Sequence, residues 1–223
     1  SEAAKSNENG WDISKNWVER EQIAKSNRDY HSLQWLHYVY SQQGLIRKAE
    51  LIFKTQQKDM LEGIQAAAKS KPNPNLRSGK YYYRMFAATI LETEQWEKAK
   101  QLVPPNGWKP KKFSKAGYSF VRGYAAAMQG NDDAKKYILE LKTIRDKGFR
   151  KNHFSRSEYL EVWELEIKTA IKLYEKSYEA AIQLAKKATL VEEKLPSPSG
   201  PPRILKPTYE LLGEVYLEAG QPK

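Results

Sequence analysis

Apolar residues recur at intervals of three and four along nearly the whole chain, and that periodicity leaves room for little except helices. Tyr30, Leu33, Leu36, His37 and Tyr40 form one stripe. Ile46, Ala49, Ile52 and Phe53 form the next, followed by Met60, Leu61 and Ile64. Such spacing lines a single helix face. No stretch alternates apolar and polar residues between turn signals as a strand would. Breaks fall at Gly44, at 71–75, at 104–107, at Gly130, at Gly148 and at the proline-rich 196–202. Proline removes a backbone donor and restricts the residue before it, so these are helix ends. The expected helices cover 12–26, 30–43, 45–68, 78–93, 95–103, 113–129, 131–147, 153–174, 177–194 and 207–219. Most are joined in pairs by two or three residues, which makes neighbours antiparallel. The fold class expected is all-α, with about ten helices in a single array over residues 1–223.

The helix pairs share an internal pattern. A large residue is followed by Leu, a small residue, an aromatic and a turn Gly, and then by Ala and an aromatic in the second helix. Leu33, Leu36, Tyr40, Gly44, Ala49 and Phe53 fit it, with His37 in the small position. Tyr83, Phe86, Ala87, Ile90, Trp96 and Ala99 fit it, with Glu94 in place of Gly. Tyr209, Leu212, Gly213, Tyr216 and Gly220 fit the first helix. Gly123, Gly130 and Ala134 are looser, and Ile171, Tyr174, Ala181, Ala185 and Ala188 are degenerate. Small residues let two helices approach, and large ones fill the spaces between neighbouring pairs. Gly10–Trp11–Asp12 reads as a turn entering a second helix, and residues 218–223 as a turn after a first helix. The expectation from both ends is a segment of a longer array.

This pattern resembles that of the tetratricopeptide repeat. Three stretches further resemble a group of long bacterial tetratricopeptide-repeat proteins: 10–12 with 29–44, 120–131, and 200–222. The resemblance spans nearly the whole chain. It implies a right-handed solenoid of antiparallel helix pairs. It carries no activity or ligand onto particular residues. His37, Glu94 and the weak register near 167–188 depart from the pattern, which implies an irregular superhelix.

Charge narrows the function classes. The chain has 38 Lys and Arg against 27 Asp and Glu, a formal net charge of +11. The surplus is local. Lys69, Lys71, Arg77, Lys80 and Arg84 share a stretch without an acid, and 135–156 holds eight basic groups against Glu140 and Asp146. Such a surplus attracts acidic partners of any kind. The segment Arg77–Arg84, with Tyr81, Tyr82 and Tyr83, invites a nucleic-acid reading through stacking and phosphate pairing. Consecutive residues of a helix point about 100° apart, so at least Tyr83 is expected to be buried.

Catalytic chemistry finds little support. There is no Cys, so disulfides, zinc-thiolate sites and cysteine nucleophiles are excluded. P-loop, GxSxG and HExxH patterns are missing. His31 and His37 are not spaced as a one-face metal pair, and His153 stands alone. Glu161, Glu164 and Glu166, interleaved with Lys168 and Lys172, read as an exposed helix face with pairs such as Glu164–Lys168. Trp108 lies in a Pro/Gly/Lys loop and is expected to plug back onto a helix. The chain is therefore expected not to be an enzyme, and to need no cofactor or metal. The function expected is a scaffold binding a protein or peptide on a concave helical face. In tetratricopeptide repeats the first helices line that face. Transferring the spacing gives His31, Gln34 and Tyr38, then Tyr81 and Arg84, then Ser119 and Arg122 as partner-binding candidates. Arg binds oxyanions bidentately, and Tyr supplies contact area with a polar tip. The alternatives are a basic module for nucleic acid or another polyanion, and an accessory repeat domain of a larger enzyme.

Overall fold

The computed structural model describes residues 1–68, 78–106, 108–148, 155–197 and 200–221. The protein is all-α, with helices packed on their neighbours in sequence order. Among the described residues there are nine α-helices: α1 Glu2–Arg20, α2 Tyr30–Gln42, α3 Ile46–Ala68, α4 Gly79–Thr93, α5 Lys112–Met128, α6 Asp133–Asp146, α7 Ser155–Tyr174, α8 Tyr178–Glu192 and α9 Thr208–Glu218. Two 3-10 segments, Lys25–Asn27 and Trp96–Gln101, complete the list. None of the described helices is long and apolar enough to cross a membrane.

Eight of the ten expected helices agree within two residues. Two do not. The first helix covers Glu2–Arg20 rather than 12–26, and Gly10 lies inside it rather than in a turn. Its buried residues Ala4, Trp11 and Val18 are seven apart, two helical turns, so one face runs unbroken through Gly10. A Cβ on Gly10 would sit 3.0 Å from Ser32 Oγ, so the glycine sets a close approach to α2. The expected helix 95–103 is a short 3-10 segment. Pro104 and Pro105 follow it, and a residue before proline is pushed out of the α region, which leaves too few residues for an α-helix.

One turn recurs through the chain. Gly44, Glu94, Gly130, Lys176 and Gly220 all adopt the left-handed conformation, with φ between 53° and 69°. At Gly44, Gly130, Lys176 and Gly220 the same pair of hydrogen bonds closes the preceding helix. Gly130 N–H donates to Ala127 O (3.0 Å) and Asn131 N–H to Ala126 O (2.9 Å). Lys176 N–H donates to Leu173 O and Ser177 N–H to Lys172 O, both 2.9 Å. This is the Schellman closure, which satisfies carbonyls that a helix end leaves without partners. Glycine adopts it without strain, whereas Glu94 and Lys176 do so against the steric cost of a Cβ.

The chain divides into two compact units, Ser1–Thr93 with Leu102–Ser114, and Glu94–Gln101 with Lys115–Lys223. In the first, Trp11, Tyr30, Leu33, Leu36, Tyr40, Ala49 and Met85 form the core. Trp108 is buried here, its ring laid on Gly79 of α4, where any Cβ would overlap it. The aromatic does close onto a helix as its loop suggested. Beside this core Arg28 Nη1 meets Asp59 Oδ2 at 2.9 Å, and both side chains are nearly inaccessible. Arg28 also lies over Trp11, 5.7 Å from the ring centroid, and the Tyr30 hydroxyl is 3.1 Å from Asp59.

In the second unit α7 is central, packed by α6, α8 and α9. Phe120 of α5 stacks on Trp163 of α7 at 5.3 Å and 13° between planes. Gly123 lets α5 settle between Ile167 and Tyr137, since a Cβ there would be 2.7 Å from each. In α9 the residues facing inward are Thr208, Leu211 and Val215, whereas Tyr209 is 61% exposed. The repeat spacing had set Tyr209 as a packing position. The helix instead turns the adjacent stripe, rotated by one residue or about 100°, toward α8 and α7, and Leu212 and Tyr216 are half-buried.

Candidate functional site

The partner-binding candidates fall in both units, and each unit is described by itself. In the first, α2 and α4 lie side by side and run in the same direction. Three contacts along their length fix this. Tyr30 meets Tyr81 at 6.3 Å between rings, His37 Nε2 meets Thr89 Oγ1 at 2.9 Å, and Gln42 Nε2 donates to Glu92 at 2.9 Å. His31 is exposed and Tyr38 half-buried on α2, and Tyr81 and Arg84 are half-buried on α4. These four candidates therefore share two adjacent helices. Gln34 is placed differently: it is buried, and its Oε1 has no hydrogen-bond partner.

Trp35 was not singled out by repeat spacing, yet it joins the α2 candidates into one strip. Its Nε1–H donates to His31 Nε2 at 3.2 Å, and its ring meets Tyr38 edge-on at 6.0 Å. A signal was present, because Trp35 stands four residues after His31 and three before Tyr38. On α4 the Lys80 ammonium lies 4.6 Å from the Tyr81 ring, and Arg84 lies 6.0 Å from the Tyr83 ring. Tyr83 is buried, as the helical spacing requires. The strip combines aromatic edges, a histidine and two cations.

His37 faces the α2–α4 seam and is buried. Burial pushes its imidazole down to about 4, so the ring is neutral at physiological pH. His153 lies outside the described residues.

In the second unit Ser119 is buried and donates to Glu140 Oε2 at 2.8 Å, which fastens α5 to α6. Arg122 is half-buried with its guanidinium 5.4 Å from the Tyr137 ring. It lines a groove of about 330 Å³ with Trp96, Lys100, Gln129, Asp133 and Tyr137.

The carboxylates of α7 overturn the expectation of an exposed face. Glu164 and Glu166 are both buried. Glu164 pairs at 3.2 Å with Arg145 of α6, not with Lys168. Glu166 is wholly inaccessible, and neither of its oxygens has a hydrogen-bond partner. Burial first, and then the charge of Glu192, raises its pKa well above the ordinary carboxylate range, which favours the protonated form. The reason is packing: α6, α8 and α9 cover the sides of α7 that carry Glu164 and Glu166, while Glu161, Lys168 and Lys172 stay partly exposed. Nearby, Lys206 is buried between Glu210 and Glu214, and Glu192 accepts from the Thr208 amide at 2.9 Å, capping α9 from α8.

Of the basic stretches, Lys69, Lys71, Arg77, Arg150 and Lys151 lie outside the described residues. Within the remainder, Lys135 pairs with Asp132, Lys142 with Asp146 and Arg145 with Glu164. Comparison of the chain with protein-family models, with curated proteins and with solved structures found no match.

Proposed function

We propose that this chain is a non-catalytic scaffold, a tetratricopeptide-like right-handed solenoid that binds a protein or peptide partner along α2 and α4. The observation that carries the reading is the strip of exposed His31 and half-buried Trp35 and Tyr38 beside Tyr81 and Arg84 on parallel neighbouring helices. Aromatic and Arg side chains lose little entropy for the contact area they supply, and they dominate protein interfaces. The recurrent left-handed turn after α2, α4, α5, α7 and α9 supports a repeat origin for the array.

The test is site-specific photocrosslinking in cells. A photoreactive residue at Tyr38 is compared with one at Leu51, which is 65% exposed on α3. A discrete adduct at position 38 is expected, with none at 51. It should vanish when His31→Ala, Trp35→Ala and Arg84→Ala are combined in a chain with unchanged circular dichroism. Equal labelling at both positions, or none at 38, would overturn the reading.

A further inference from the structure

The second unit holds a half-buried arginine that its own fold leaves without a carboxylate. Arg28, Arg145 and Lys206, three cations drawn into contacts between elements, are each matched to an acid at 3.2 Å or less. Arg122 forms no ion pair among the described residues, and neither does Lys100 on the same groove. Taking a guanidinium part-way out of water without an anion is unfavourable, so such a group is a natural seat for one that arrives with a ligand.

The surroundings define that ligand. Tyr137 is buried and holds the guanidinium by its face, 5.4 Å from the ring centroid. A stacked guanidinium offers its N–H groups edgewise, in the geometry that matches the two oxygens of a carboxylate. Trp96 forms an apolar wall and is itself held against Tyr124 at 5.7 Å. Ala99, Ala125 and Ala126 give a floor of small side chains. The volume of about 330 Å³ is at the lower end for a ligand pocket, enough for an acidic side chain and an apolar neighbour. Asp133 also lines the groove, and it disfavours a doubly charged phosphate more than a singly charged carboxylate.

We infer that this groove, formed by the 3-10 segment Trp96–Gln101, α5 and the start of α6, seats a Glu or Asp side chain of a peptide, with Arg122 as the anchor and Trp96 packing on the adjoining apolar residue. The inference rests on the scaffold reading only in taking the occupant to be a peptide. It concerns different residues from the α2–α4 strip, so either can fail alone.

The experiment is titration of the full chain, labelled with nitrogen-15, by short peptides in which Glu alternates with Leu. Matched peptides carry Gln, or phosphoserine, in place of Glu. The Glu peptide is expected to shift the Trp96 indole and Arg122 Nε–H resonances. The Gln peptide should bind at least about tenfold more weakly, the range for losing a charge-assisted bidentate contact. Arg122→Gln should cause a similar loss, Arg122→Lys most of it, and Arg20→Gln, at an exposed position of α1, none. Equal binding of the Gln peptide overturns the proposal without any variant having to fold. So do tighter binding of the phosphoserine peptide, or shifts confined to residues away from the groove. Adducts at Tyr38 with no groove binding would sink this inference and leave the scaffold reading intact.

Discussion

Arg28 and Asp59 form a buried ion pair, 2.9 Å between Nη1 and Oδ2, that ties the segment before α2 to the middle of α3. Trp11 covers the guanidinium, and the Tyr30 hydroxyl lies beside the carboxylate. Removing one partner strands the other charge in the interior. Asp59→Ala is therefore expected to cost about 3–5 kcal/mol. Asp146→Ala, which breaks an exposed pair with Lys142, should cost less than about 1 kcal/mol. Urea denaturation of the two variants checks this, and equal costs would refute the distinction.

The left-handed turns make opposite predictions at matched positions. Gly130 has φ +66° with the Tyr174 ring against it, so Gly130→Ala meets both backbone strain and overlap. A loss of about 1–2 kcal/mol is expected, chiefly from the backbone strain, because the overlapped end of the exposed Tyr174 side chain can swing away. Lys176 occupies the same turn geometry with φ 57°, and Lys176→Gly should stabilise by roughly 0.5–1 kcal/mol. Thermal melts decide the signs.

Glu166 predicts a pH dependence. Its folded pKa is raised, so the stability it permits is fully present below the ordinary Glu range and is lost as pH rises through the raised value. Glu166→Gln keeps the shape and cannot ionise. Its unfolding free energy should exceed that of the parent at pH 7.5 by about 1–3 kcal/mol, with the gap closing toward pH 4. A gap that stays constant across pH would show that Glu166 ionises freely in the fold.

His37 acts with the opposite sign. Its folded value is lowered from 6.5 to about 4, so the stability is present above 6.5 and is lost as pH falls toward 4. The shift corresponds to roughly 3 kcal/mol. His37→Gln should remove that slope while keeping a polar group near Thr89. Denaturation midpoints measured from pH 7 down to 4 separate it from Glu166, whose effect runs the other way.

Helices and turns were legible because they follow from neighbours along the chain. The three- and four-residue spacing placed eight helices to within two residues, and Gly44, Gly130 and Gly220 marked left-handed turns. Where a glycine served packing between helices rather than a turn, the local signal misled. Gly10 is the example, lying mid-helix against Ser32. The candidate strip was partly legible too: His31, Tyr38, Tyr81 and Arg84 share two adjacent helices, but the spacing could not tell that Gln34 turns inward or that Trp35 links its neighbours.

Periodicity shows which residues of a helix share a face, and the amino-acid sequence alone settled that for this protein, together with its all-α class. Only the tertiary structure decided how many faces each helix must bury. α7 is enclosed by α6, α8 and α9, so Glu164 found an arginine on another helix and Glu166 lies buried without a hydrogen-bond partner, its pKa raised. Burial depends on residues far apart in the chain, and the same Glu is solvated on a helix with one covered face and stranded on a helix with three.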